Sequence, residues 1–496
     1  MSRSSAGTVH GTRRQRTLSA RAVAAPLLLG QAMITLDASI VQVAGPQLQR
    51  GLHLSDATLQ AAVSLTVLVH AAFLIVGARL GSRYGYGRLF VGGGCLFTAA
   101  SLACAVAVTP SMFLAARAMQ GLGAAFLAPQ VLTLLQLTFN GDRRSKALSA
   151  YALVLAAGVA VGQVLGGVLL TTDPFGAGWR SVFVIDVVLG LTVLTWSAGR
   201  LPRRADHPGR RLELRGAATL ACAMLALVTP LTFGADAGWP GWSWLLLAIA
   251  VIVFLVFAAH ESRLAQNGGD PLVDPRMLAR PGFAQGLSGV FVLMACYGGM
   301  LFTTTVHLQA TLHRTALSAG LSFAGFSVGF GAASLTWPLL PRRWHFWIPP
   351  AASIPVAAAT ACLAGITTRE DWPWYATVLL ALAGAGSGAA YGSQLAGTVD
   401  LADDEQAGAA SGVLATTNQL GVVIGVAIFG GLYLSVGPAA MSWVFAAMAA
   451  CHASTGVLDG WLRVRHRRRV SAALAGSIPT PSSREVPGGS EVLPIP

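Results

Sequence analysis

SMFLAARAMQGLGAAFLAPQVLTLLQLT, residues 111–138, is 28 residues long and carries one charged side chain, Arg117. A run of this length and polarity is long enough to cross the ~30 Å hydrocarbon core of a bilayer as a helix. An arginine inside such a run is costly to bury and marks a functional position. The same texture extends along the chain. Of its 496 residues 54% are hydrophobic and 11% charged, and the mean hydropathy is +0.63. Soluble chains carry roughly a quarter charged residues, so most of this surface must meet lipid. The protein is expected to be an all-α integral membrane protein.

Apolar runs of spanning length fall near 21–45, 57–79, 89–108, 111–138, 146–170 and 180–199, then near 213–234 and 242–260. Six more follow near 282–307, 317–340, 346–366, 374–398, 409–435 and 438–462. That predicts 14 transmembrane helices, the breaks at Thr109-Pro110 and Gly437-Pro438 being the least marked. Basic residues recur in every second connection: Arg13, Arg14 and Arg16; Arg79, Arg83 and Arg88; Arg143, Arg144 and Lys146; Arg203, Arg204, Arg210 and Arg211; Arg263, Arg276 and Arg280; Arg342 and Arg343; Arg463 to Arg469. Short cytoplasmic loops are enriched in Arg and Lys, so both termini are expected in the cytoplasm, with the protein multi-pass in the plasma membrane. The connection after span twelve is the exception, with Asp400, Asp403, Asp404 and Glu405 and no base. Its side follows from helix counting alone.

The net charge of +13 is spread over these brief clusters, which suits anionic lipid rather than nucleic acid. Cys95, Cys104, Cys222, Cys296, Cys362 and Cys451 lie inside apolar runs without ligand-like spacing, so neither disulfides nor a metal site is expected. The Pro-, Ser- and Gly-containing stretch beyond Val470 has no periodic apolar face and reads as a disordered tail.

Among the charges within spans three matter, Asp37 in the first, Arg117 in the fourth and Asp186 in the sixth. At 1.5 Å rise per residue they fall at one depth, about 9–14 Å below the outer face. One arginine pairing with one carboxylate leaves the other acid to carry a proton. A structural ion pair between spans one and four, with Asp186 facing water, is the alternative. Gln31, Gln120, Gln130, Gln163, Gln309, Gln394 and Gln419 are amides in apolar helices, and His70 and His307 sit within spans two and nine. These side chains must face protein or water and are candidates to line a substrate cavity or to bond between helices. Gly158, Gly162, Gly166 and Gly167 form a small-residue ladder in span five, for close packing or a gating bend.

These residues resemble the major facilitator superfamily, and within it the fourteen-span drug:proton antiporter branch of the EmrB/QacA type, over roughly residues 20–462. Residues 36–44, LDASIVQVA, are similar to the branch's L-D-x-T-I-V-N-V-A, with Asp37 as its embedded acid. Residues 117–123, RAMQGLG, match R-x-x-Q-G-x-G, which includes Gly121 and whose arginine, here Arg117, the resemblance implicates in proton transfer. The span-five ladder resembles the antiporter motif G-x-x-x-G-P-x-x-G-G, with Gln163 in place of proline. Residues 178–183, GWRSVF, resemble the entry to span six, where Asp186 stands in place of the usual asparagine. Residues 408–412 with 419–421 and residues 307–309 agree as well. The loop after span two departs: G-x-L-G-D-R-x-G-R-R appears as residues 78–87, ARLGSRYGYG, with Ser82 for the latching aspartate. Arg79 belongs to the same loop, and either Arg83 and Arg88 find another partner or the latch is weak.

The resemblance implies a major facilitator fold. A cytoplasmic tail, 1–20, precedes a six-helix bundle over 21–200, and a basic linker with two inserted helices covers 201–265. A second six-helix bundle spans 266–464, and a basic tail covers 465–496. The expected function is secondary active transport, proton-coupled efflux of amphipathic organic compounds or antibiotics by alternating access. An importer or uncoupled facilitator of a small metabolite is the alternative. No catalytic residues and no cofactor beyond the coupling proton are expected. The expected partners are a small-molecule substrate and membrane lipid, with the chain acting as a monomer.

Overall fold

The computed structural model describes residues 20–476 except 174–175, 202–212, 235–237, 270, 281, 367–371 and 403–405. The expected N-terminal tail with Arg13, Arg14 and Arg16, the bases Arg203, Arg204, Arg210 and Arg211, the acids Asp403, Asp404 and Glu405, and the tail beyond Gly476 lie outside the described residues. Among the described residues every regular element is helical. In chain order come α1 (Ala20–Leu52), α2 (Asp56–Tyr84), α3 (Tyr86–Ala105), α4 (Pro110–Thr138), α5 (Gly141–Thr172) and α6 (Arg180–Ser197). Next are α7 (Leu214–Phe233), α8 (Gly241–Gln266) and the one-turn α9 (Pro275–Leu278). The rest comprises α10 (Phe283–Val306), α11 (Ala316–Thr336), the short α12 (Arg342–His345), α13 (Ile348–Ile366), α14 (Trp374–Val399), α15 (Ala407–Gly425), α16 (Gly431–Val436) and α17 (Ala440–Gly476). π-helical turns at His307–Thr311 and Val426–Gly430 extend α10 and join α15 to α16.

Local chemistry sets the breaks. The Ser55 side chain accepts from Thr58 N at 3.2 Å, Thr109 from Met112 N at 3.3 Å ahead of Pro110, and Thr315 from Ser318 N at 3.2 Å. Gly85 alone separates α2 from α3 at φ 104°, a backbone conformation open to glycine and strained for other residues. Gly437 at φ 84° ends α16. Both weakly marked breaks are therefore real.

Among the described residues twelve helices are long and apolar enough to cross a membrane. α7 and α14 are not among them, although they run for 20 and 26 residues. α14 is diluted by Gly, Ser, Tyr and Gln. The C-terminal reading needs one correction: α17 stays helical to Gly476, past the expected start of the tail at 465.

α1 to α6 pack on one another, and α10 to α17 do the same, while α7 and α8 pair together and α7 leans on α2. The two sets meet where α5 packs on α11 and α14, and where α2 and α4 pack on α15. Lipid-facing surface is most evident on α8, where Leu245, Val251, Ile252 and Leu255 are each more than half exposed. Exposed tryptophans mark both ends of the helices. Because consecutive spans alternate in direction, Trp244, Trp374 and Trp443 share one end and Trp196, Trp344, Trp347 and Trp461 share the end with the basic loops. Such belts are typical of membrane–water interfaces.

Candidate functional site

Arg117 projects from α4 into the middle of the first helix set and is 1% exposed. Its Nη1 donates to both oxygens of Asp37 on α1, at 2.9 and 3.0 Å, and to Gln120 Oε1 at 2.8 Å. Its Nε donates to the carbonyl of Ala62 on α2 at 3.0 Å, and Thr66 returns a hydroxyl donor to the Arg117 carbonyl at 3.0 Å. The spacing Arg117-x-x-Gln120-Gly121 places all three on adjacent turns of α4. Gly121 lets α2 approach, because a Cβ there would lie 2.5 Å from the Thr66 carbonyl oxygen. Gln120 completes the network through Nε2, which donates to Ser101 Oγ on α3 at 2.8 Å. Cys104 also donates to Gln120 Oε1, at 3.4 Å.

Asp186 on α6 is fully buried in electrostatic reach of Asp37 and Arg117. Neither of its oxygens accepts a hydrogen bond among the described residues. One turn earlier, Phe183 sets its ring under the guanidinium, 6.0 Å from its carbon to the ring centroid. Phe183, Phe113 and Trp179 pack edge to face at centroid distances of 5.4–6.1 Å, so one side of the charged group is closed by aromatic rings. One carboxyl thus pairs with the guanidinium while a second lies buried nearby without a hydrogen-bond partner among the described residues.

Three rungs of the glycine ladder on α5 hold α1 at close range. A Cβ on Gly158 would strike Thr35, one on Gly162 would strike Ser39 and come 2.8 Å from Leu36 O, and one on Gly166 would lie 2.8 Å from Ile40 Cγ1. These contacts bracket Asp37 and fix its depth. Gly167 does not belong to the ladder: it turns away, with nothing within 4 Å of its Cβ position.

The other sequence candidates scatter. Gln120 belongs to the charge network rather than to a cavity wall. Gln130 donates from Nε2 to Gly77 O at 2.9 Å, tying α4 to α2. Gln31 is buried, and its Oε1 and the Nε2 of half-buried His70 find no hydrogen-bond partner among the described residues. Gln163 lies at the seam between the helix sets, 3.2 Å from the Cβ position of Gly320. His307 lies across the molecule, its Nδ1 3.1 Å from the Tyr433 hydroxyl, which also contacts Thr311 at 2.9 Å. Gln309 is exposed and Gln419 half-buried. Gln394 lines a cavity of about 650 Å³ that also touches Arg280, Asp400 and Arg463. That cavity lies at the basic-loop end, lined mainly by the second helix set with Ser145 of α5 at its edge.

The side chains of the altered loop after α2 differ in what they meet. Arg79 donates to the carbonyls of Leu272, at 2.6 Å, and Pro271. Ser82 donates to Arg79 O at 2.9 Å, Arg83 lies over the Tyr84 ring, and Arg88 is exposed. The charged links between the sets lie elsewhere: Arg144 to Asp400 at 3.2 Å and Arg342 to Asp142 at 2.8 Å. Arg280 also donates to Leu401 O at 2.9 Å. These bonds place the acidic connection among the basic loops. Sequence reasoning missed Ser101, Thr66 and the Ala62 carbonyl, since hydroxyls and backbone oxygens inside an apolar run give no signal of their own.

The pattern of the Major Facilitator Superfamily matches residues 27–426. The chain is 31% identical over 467 residues to the probable actinorhodin transporter of Streptomyces coelicolor, covering 92% of this chain and 77% of that one. It is 34% identical over 405 residues to the drug efflux pump JefA of Mycobacterium tuberculosis, covering 81% and 78%. Among solved structures, the human organic anion transporter MFSD10 superposes with a TM-score of 0.63 at 14% identity, covering 89% of this chain and all of that one. This last likeness concerns the fold alone.

Proposed function

The chain belongs to the Major Facilitator Superfamily, and from that premise we propose that it exports amphipathic organic compounds, antibiotics among them, in exchange for protons. It is a secondary transporter and not an enzyme. The relatives named as an actinorhodin transporter and a drug efflux pump support the substrate class. Fourteen spans, as in the drug:proton antiporter branch, are supported by α7 and α14, whose 20 and 26 residues suffice for a ~30 Å crossing. On this reading 21–200 and 266–464 are the two bundles, the inserted pair lies between them, and the basic loops and both termini face the cytoplasm of a cell bounded by the plasma membrane.

The observation that carries proton coupling is the buried set Asp37, Arg117 and Asp186. With one guanidinium and two carboxyls the group is neutral overall when one carboxyl holds a proton and negative when both are ionised. A proton entering from outside exchanges one state for the other, and the Asp37–Arg117 bond, which ties α1 to α4, is the element it acts on. Contacts between the bundles at the basic-loop end include Gln136 to Ser411 at 3.1 Å, Arg144 to Asp400 at 3.2 Å and the close approach of Gly412 to Ala78. This is the arrangement of a carrier closed toward the cytoplasm, ready to release cargo outward.

Cells expressing the protein should accumulate less ethidium, a fluorescent amphipathic cation, or less of an amphipathic antibiotic. The difference should vanish with a protonophore and in Arg117→Ala. Efflux that survives both would overturn proton coupling; no efflux of any amphipathic compound would overturn the substrate class.

A further inference from the structure

At the basic-loop end of the inserted pair, three side chains of metal-ligand type converge away from the charge pair. Glu213 caps α7 by accepting from Gly216 N. Its Oε1 lies 2.9 Å from His260 Nε2 on α8, and Glu261 is the next residue. One ligand atom from each of the three lies within 4.8 Å of the others. Glu261 is 2% exposed. Its Oε2 accepts from Val273 N at 2.9 Å, while its buried Oε1 accepts nothing among the described residues. That oxygen is aimed into the group: a Cβ added to Gly216 would lie 2.6 Å from Glu261 Oε1 and would also strike Glu213 Oε2. The glycine leaves open the space on which both carboxylates turn.

We propose that Glu213, His260 and Glu261 bind one divalent transition-metal ion of the zinc–manganese class. A donor set of imidazole nitrogen and carboxylate oxygens suits borderline ions, whereas Mg²⁺ and Ca²⁺ prefer oxygen alone. The 2.9 Å between His260 Nε2 and Glu213 Oε1 is close to the spacing of adjacent ligands on a six-coordinate ion, and a tetrahedral ion would open the pair to about 3.4 Å. Two carboxylates balance the ion's charge, and water completes the coordination from the partly exposed His260 side. Through Glu261 and Val273 the ion braces α7 and α8 against segment 271–273, whose carbonyls are gripped by Arg79 of α2. The site thereby ties the inserted pair to the first bundle.

The test uses the full chain, purified without a histidine tag, stripped with chelator and dialysed against ZnCl₂ or MnCl₂. Bound metal is counted by mass spectrometry and thermal unfolding is followed in detergent. One ion per chain and a raised Tm are expected, with affinity at least about tenfold weaker in His260→Asn and Glu261→Gln. Gly216→Ala, which fills the space without removing a ligand, should also lose the ion, and Asp37→Asn should keep it. Failure of the parent protein to retain either metal overturns the proposal. So does equal retention by all three site variants, or a Tm raised as much by MgCl₂ as by ZnCl₂.

Discussion

Arg117 and Asp37 illustrate what a single buried charge dictates. Each is almost fully excluded from water, and each satisfies the other at 2.9 Å. Removing one partner of such a pair costs about 3–5 kcal/mol, because the survivor stays buried and charged. Arg117→Ala should therefore lower thermal stability and abolish exchange, whereas Arg117→Ala with Asp37→Asn should recover stability and remain uncoupled. Unfolding curves in detergent, paired with transport, separate the two effects; a double variant as unstable as the single one would contradict the account. Both charges were legible in the sequence because each interrupts an apolar run. The partners were less so: Gln120 reads like any other membrane amide, and only packing shows that its two ends are engaged by Arg117 and Ser101.

Among the helices, α5 shows how spacing and register part company. Gly158, Gly162 and Gly166 recur every fourth residue and meet α1 in one line, while neighbouring Gly167 points about 100° away. Gly162→Val should destabilise by about 1–3 kcal/mol through overpacking and displace Asp37 with its helix, while Gly167→Ala should leave melting and transport unchanged. Equal effects at the two positions would show that the ladder has no special place. The break at Thr109-Pro110, among the least marked in the sequence, is set by the Thr109 side chain accepting from Met112 N. The extent of α17 was not legible, because its last turns lack an apolar face, and the standing of α14 is less plain because Gly, Ser, Tyr and Gln dilute its hydropathy.

Across the whole molecule, two bundles closed at one end imply a second state closed at the other. Ala78 of α2 meets Gly412 of α15, where a glycine Cβ would lie 2.6 Å from the alanine Cβ. In a background without the six native cysteines, Ala78→Cys with Gly412→Cys should cross-link and stop transport, and reduction should restore it. Transport by the cross-linked form would rule out opening at this end. The Arg144–Asp400 pair is partly exposed and contributes about 1 kcal/mol or less, so Asp400→Asn should shift rates rather than abolish flux. The acidic connection looked misplaced in the sequence because charge counting ignores partners on other loops. The central claim, that substrate moves against protons through Asp37, Arg117 and Asp186, is met most directly by proton flux in proteoliposomes under an imposed pH gradient. Substrate-induced collapse of the gradient by the parent protein, lost in Arg117→Ala and Asp186→Asn while both variants still insert and fold, is the predicted result; substrate flux with no proton movement, or full collapse in both variants, would contradict it.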